Sequence, residues 1–79
     1  MDQFQKNFVL AVKTFENKFK IKPDILQGHS RTLILGLVNN ISELLKSLHI
    51  KINFNDALPT GEIYVGRFIA EKFQSIRVK

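Results

Sequence analysis

The feature that most constrains the fold is an amphipathic segment at residues 30–48, with the sequence SRTLILGLVNNISELLKSL. At about 100° per residue, one continuous face of this segment carries only aliphatic side chains: Leu33, Ile34, Leu37, Val38, Ile41, Leu44, Leu45 and Leu48. This face spans roughly 140°, which is wider than the seam of a two-stranded coiled coil. The segment therefore predicts a core helix with neighbours on more than one side.

Two other segments have helical spacing. Residues 2–20 carry four phenylalanines on one face, at positions 4, 8, 15 and 19, and this spacing fits a helix and not a strand. Residues 61–77 place Val65, Ile69, Phe73 and Ile76 on one face. Because residues 62–65 are rich in β-formers, a hairpin with residues 50–54 stays open as the alternative. We favour a helix, since the helical period persists to Ile76.

Two shorter segments complete the prediction. Pro23 ends the first helix, and residues 23–27 predict a single helical turn. Residues 50–54 alternate apolar and polar side chains, which is typical of a short strand. The predicted fold is mainly α, a small helical bundle with three principal helices, one turn helix and one β-like segment. No linker or repeat divides the chain, so residues 1–79 are expected to form a single compact domain.

Composition restricts the function more than it identifies it. The chain has no cysteine, so its stability cannot come from disulfides or a thiolate metal site. Its net charge of +5 favours anionic partners, including nucleic acid. The N-terminus does not resemble a signal peptide, and no apolar run is long enough to span a membrane. We therefore expect a cytoplasmic protein.

Enzymatic chemistry has little support in this sequence. The two histidines, His29 and His49, are too few for a closed zinc site without cysteine. Ser30 follows His29, but it is better explained as the N-cap of the central helix. The glycines form no phosphate-binding loop. We predict no catalytic residue, no metal, no cofactor and no small-molecule substrate.

Two sets of residues could form binding surfaces. The first contains apolar side chains that lie off the main faces of their elements and could contact a protein or a second copy of the chain: Leu10, Leu35, Leu58, Ile63, Tyr64 and Phe68. The second contains cations late in the first and last predicted helices, which could contact phosphates if the two helix ends meet: Lys13, Lys18, Lys20, Lys22, Arg67, Lys72, Arg77 and Lys79. The phenylalanines near these cations, including Phe73, are assigned to core faces, so no platform for stacking bases is expected.

These observations favour a small non-enzymatic protein–protein interaction module that self-associates, such as an adaptor, an inhibitor or a regulatory subunit. Its enrichment in Lys, Asn, Ile and Phe is typical of accessory proteins of phages and mobile elements. The alternative is a regulatory protein that binds nucleic acid through its basic helix ends.

Overall fold

The computed structural model describes residues 3–34 and 38–78, which form an α+β fold with helices on one face of a four-stranded sheet. The elements in chain order are α1 (Gln3–Phe19), β1 (Ile25–Gly28), α2 (Ser30–Thr32), α3 (Val38–Ser47), β2 (Lys51–Phe54), β3 (Ile63–Ile69) and β4 (Lys72–Val78). The sheet order is β2-β1-β3-β4. The prediction of a mainly α fold and a helical bundle is therefore wrong.

The first helix is confirmed over the described residues. Its phenylalanine spacing places Phe8 and Phe15 at 0% exposure, with Ala11 and Val12 buried between them. The helix ends at Phe19, and the next residue, Lys20, has a left-handed φ of 59° and an N–H that bonds to the carbonyl of Glu16 at 2.9 Å. The phenylalanine stripe therefore packs α1 into the core.

The segment at residues 30–48 forms a crossover between two parallel strands. It contains α2, a wider π-type turn at Leu33 and Ile34, and α3, which buries Ile41 and Leu45. Its N-cap is His29 and not Ser30. Leu35, one of the predicted partner residues, lies outside the described residues. Because parallel strands need a long connection, this crossover lets β1 and β2 pair side by side.

The largest error concerns residues 61–77, which form a β-hairpin and not a helix. Strands β3 and β4 pair antiparallel, and Ile69 faces Lys72 across a two-residue turn. The turn residues Ala70 and Glu71 have φ of 53° and 69°, which is typical of a type I′ turn. Positions related by the turn are cross-strand partners, so Val65 faces Ile76. The separation of Val65 and Ile76 along the sequence is close to a whole number of helical turns, although the two side chains are neighbours in a sheet.

The turn helix predicted at residues 23–27 is also wrong, because that region forms β1. This strand lies inside the sheet, parallel to β2 and antiparallel to β3. Four residues are too short for alternation to be recognised in the sequence. The strand predicted at residues 50–54 is present as β2. The hairpin alternative had the wrong partner, because β3 pairs with β1 and β4 and not with β2.

One core joins the helices to the inner face of the sheet. It combines side chains of α1 and α3 with Leu26 of β1 and with Ile63 and Val65 of β3. In the cross-strand register, Leu26 lies between Ile52 and Val65, so one row of apolar side chains crosses the sheet. Since α1 and α3 both pack on this face, the other face of the sheet is free for a different role.

Candidate functional site

The candidate site is the outer face of the sheet, opposite the helices. Strand alternation and the register place one row of residues from each strand on this face: Ile25 and Gln27, Lys51 and Asn53, Tyr64, Gly66 and Phe68, and Phe73, Ser75 and Arg77. We call these residues the outer face. It combines aromatic rings with exposed cations, whereas the inner row supplies the aliphatic core residues Leu26, Ile63 and Val65.

The aromatic residues of the outer face lie on β3 and β4. Phe68 is 58% exposed, and its ring centroid lies 5.3 Å from that of its cross-strand partner Phe73. Tyr64 and Phe73 also line a shallow groove of about 330 Å³ with Leu58 from the preceding loop. A surface aromatic pair with one exposed ring is unusual in a chain this small, where aromatic rings are needed in the core.

Gly66 separates Tyr64 from Phe68 on β3. A Cβ at this position would overlap the carbonyl oxygen of Gln74 on β4, so close strand pairing requires glycine. The same glycine leaves no side chain between the two rings. The face is therefore flat at its centre and aromatic on both sides.

The hydroxyl of Tyr64 donates a hydrogen bond to the carboxylate of Glu62 at 2.5 Å. This hydrogen bond is the main reason that the pKa of Tyr64 is raised above its ordinary value. Arg77 lies directly across from Tyr64 and acts in the opposite direction. Tyr64 thus stays protonated at neutral pH and presents a neutral ring beside a cation.

The structure gathers part of the predicted partner surface. Leu58, Tyr64 and Phe68 lie on or beside the outer face, while Leu10 is 64% exposed on α1, on a different surface. Ile63 is 3% exposed and belongs to the core, so it cannot contact a partner. Phe73, which the sequence assigned to a core face, instead lies half-buried on the outer face.

The predicted basic patch is only partly assembled. Lys18, Lys20 and Lys22 are exposed near the end of α1, and Lys72 is exposed at the start of β4, at the same end of the sheet. Arg77 lies five residues farther along β4, roughly 17 Å away at strand spacing. Lys13 is exposed in the middle of α1, and Lys79 lies outside the described residues.

Arg67 connects two segments of the chain at this end of the sheet. Its Nε donates a 2.8 Å hydrogen bond to the carbonyl of Lys22, and its guanidinium lies 3.4 Å from the carboxylate of Asp24. These contacts tie β3 to the connection between α1 and β1. Arg67 is therefore engaged within the chain, although the sequence suggested an anion contact.

Ser30, His29 and Asp56 meet in a capping arrangement. The backbone N–H of Ser30 donates to Asp56 at 2.8 Å, and the N–H of Arg31 donates to Nδ1 of His29 at 3.0 Å. The backbone N–H of Ser30, and after it the Ser30 side chain, hold the pKa of Asp56 below its ordinary value. In a nucleophile–base–acid triad the histidine would stand between the other two. Here the backbone N–H of Ser30 bonds to Asp56, and Nδ1 of His29, 3.8 Å from the same carboxylate, accepts the N–H of Arg31, so capping accounts for these residues.

A cavity of about 200 Å³ lies between the ends of α1 and α3, and Glu16, Asp24, His49 and Arg67 are among its lining residues. Asp24 and Arg67 already pair with each other there. Within residues 3–34 and 38–78, no group of three or more histidine and acidic side chains is placed to hold a metal ion. In the same part of the chain, no helix has the length and apolar character needed to cross a membrane.

Comparison with known proteins adds no assignment. No family model, curated protein or solved structure matches the chain significantly.

Proposed function

We propose that this chain is a small non-enzymatic protein–protein interaction module that self-associates through the edge of β4. The observation that supports this proposal is that β4, a seven-residue strand, pairs on one side only within residues 3–34 and 38–78. An edge strand presents unpaired N–H and C=O groups, which are a template for a further strand. The opposite edge, β2, is only four residues long and is less suited to this role.

An apolar contact lies beside this edge. Leu10 on α1 is 64% exposed, and with Ala11 and Ile76 it lines a groove of about 250 Å³ next to β4. A second strand added to β4 would bring its neighbouring helix over this groove. Main-chain hydrogen bonds and the burial of apolar surface would then both stabilise the dimer.

The sequence of β4 is compatible with pairing to itself. In an antiparallel pair with Ser75 on the two-fold axis, Arg77 of one copy faces Phe73 of the other, and Lys72 faces Val78. Like charges are not opposed in this register, and a cation meets an aromatic ring. A second copy of the chain is therefore a suitable partner for the edge.

The test is the mass in solution by light scattering across a dilution series. We expect twice the monomer mass of 9.1 kDa at high concentration. Leu10→Lys should weaken the dimer roughly tenfold or more, because it places a charge in the buried contact. Ile34→Lys is the matched control, since Ile34 is 66% exposed and lies away from β4. A monomer at all concentrations, or equal effects of both variants, would contradict the proposal.

The alternative was nucleic-acid binding by the basic ends of two helices. The second of these helices is absent, because residues 61–77 form a hairpin. Regulatory action and a cytoplasmic location stay predictions.

A further inference from the structure

We infer that the outer face of the sheet binds single-stranded nucleic acid, by stacking bases on Phe68, Phe73 and Tyr64 and by contacting phosphates with the surrounding cations. This activity goes beyond the proposed self-association. It does not depend on a dimer, because Phe68 lies on β3, one strand in from the edge.

The aromatic geometry is the first support for this inference. Sequence-specific and nonspecific binding of single strands both use aromatic rings on open sheets, because every base has a π-face. Phe68 is exposed over more than half of its surface, and its pairing with Phe73 holds the ring in place. Gly66 keeps the surface flat between this pair and Tyr64. Two or three bases could lie across such a face.

Charge is the second support: the outer face carries exposed cations, and the chain as a whole is positive. Lys51 and Arg77 are exposed members of the outer face, while Lys72, opposite Ile69, is exposed in the inner row. Glu62 is the carboxylate bonded to Tyr64, and Glu71 lies exposed in the turn. The two cations of the outer face match these two carboxylates, so the excess that attracts phosphates is that of the whole chain, whose net charge is +5.

The shape of the face favours a single strand over a duplex. Recognition of a duplex by base edges needs a helix or a two-stranded ribbon in the major groove. The outer face instead presents flat rings within a sheet, which can reach only bases that are not stacked in a duplex. We therefore expect single-stranded DNA or RNA to bind more tightly than duplex DNA of the same length.

The experiment measures the fluorescence anisotropy of a labelled oligothymidylate of about 12 nucleotides, a length within the site sizes of single-strand binders. Titration at low salt should give saturable binding that weakens with added salt. Phe68→Ala should weaken it roughly five- to 150-fold, the range for loss of one stacked base, while Phe68→Tyr should preserve it. Lys51→Gln should lower the salt slope by about 0.7.

Phe54→Ala is the matched control. Phe54 is 53% exposed on β2, but it pairs with Gly28 in the inner row, on the helix side of the sheet. Its loss should leave binding unchanged. No binding at low salt would overturn the inference and leave the outer face to a protein ligand. Equal losses for Phe54→Ala and Phe68→Ala, or tighter binding of a duplex control, would overturn it as well.

Discussion

Single side chains hold the loop between β2 and β3 against the start of α2. Asn55 accepts a hydrogen bond from the N–H of Ala57 at 3.1 Å, and Thr32 accepts one from the N–H of Gly61 at 2.8 Å. Asp56 accepts one from the N–H of Ser30, as a capping residue supplied from a distant loop. A short helix and a long loop therefore stabilise each other.

The carboxylate of Asp56 makes this contact dependent on pH. Its folded pKa lies below the unfolded value of about 3.9, so the contact stabilises the fold above that pH. The stabilisation is lost as the pH falls through the folded pKa. Asp56→Asn should therefore lower Tm at pH 7, and the difference from the wild type should disappear in acid.

Thermal unfolding at several pH values between 7 and 3 measures this effect. Glu43→Gln, which removes an exposed carboxylate from α3, controls for the change in net charge. If the Tm difference for Asp56→Asn stayed constant down to pH 3, the carboxylate charge would not be the source of the stabilisation.

At the scale of elements, the turn between β3 and β4 is unusual. Type I′ turns favour Asn-Gly because both residues need positive φ, and here Ala70 and Glu71 occupy them. The left-handed conformation costs each of these residues roughly 1–2 kcal/mol in steric energy. Because the turn itself is unfavourable, the pairing of β3 with β4 must stabilise the hairpin.

Replacing Ala70-Glu71 by Asn-Gly should therefore raise the free energy of unfolding by about 1–2 kcal/mol. Urea denaturation measures the change. Ala57→Gly is the control, because Ala57 is exposed in a loop and has no positive φ. That variant should be slightly destabilised, since glycine there only increases the entropy of the unfolded chain. An unchanged or reduced stability for Asn-Gly would show that the turn is not strained.

The same turn explains which elements the sequence could predict. α1 follows from its phenylalanine spacing, because the helix buries one face and local periodicity suffices. The hairpin carries no Asn-Gly signal, and its symmetric pairs, such as Val65 with Ile76, resemble a helical repeat. β1 depends on partners on both sides that only the tertiary fold supplies.

The candidate site was accessible to sequence reasoning in part. Tyr64 and Phe68 stand out as apolar side chains off the predicted helical face, and the structure places both on the outer face, Phe68 exposed and Tyr64 half-buried. Phe73 was predicted to face the core, because its true face depends on the register of the hairpin. Lys51 could not be connected to these rings, because β1 lies between β2 and β3.

At the scale of the whole molecule, the inner face of the sheet forms the core and the outer face is the candidate binding site. The inner row and the helices share one core, so the helical layer and the sheet should unfold together. A 79-residue chain has a total stability of roughly 4–12 kcal/mol, and one central core side chain is a large part of it. The outer face contributes less, because its side chains are half-buried or exposed.

Neighbouring residues of β1 separate the two faces experimentally. Leu26 is 0% exposed in the centre of the core, whereas Ile25 is half-buried on the outer face. Leu26→Ala should lower the free energy of unfolding by roughly 2–5 kcal/mol, because it leaves a cavity between the helices and the sheet. Ile25→Ala should cost less, since solvent can fill the space that it leaves.

Two signals during urea denaturation report on the two layers. Circular dichroism at 222 nm is dominated by the helices, and the fluorescence of Tyr64, the only tyrosine, reports on the outer face. If residues 1–79 form one cooperative unit, Leu26→Ala shifts both transitions by the same amount and keeps them coincident. If the helical signal were lost first while that of Tyr64 persisted, the sheet would be stable by itself. The outer face would then not depend on the helices for its shape.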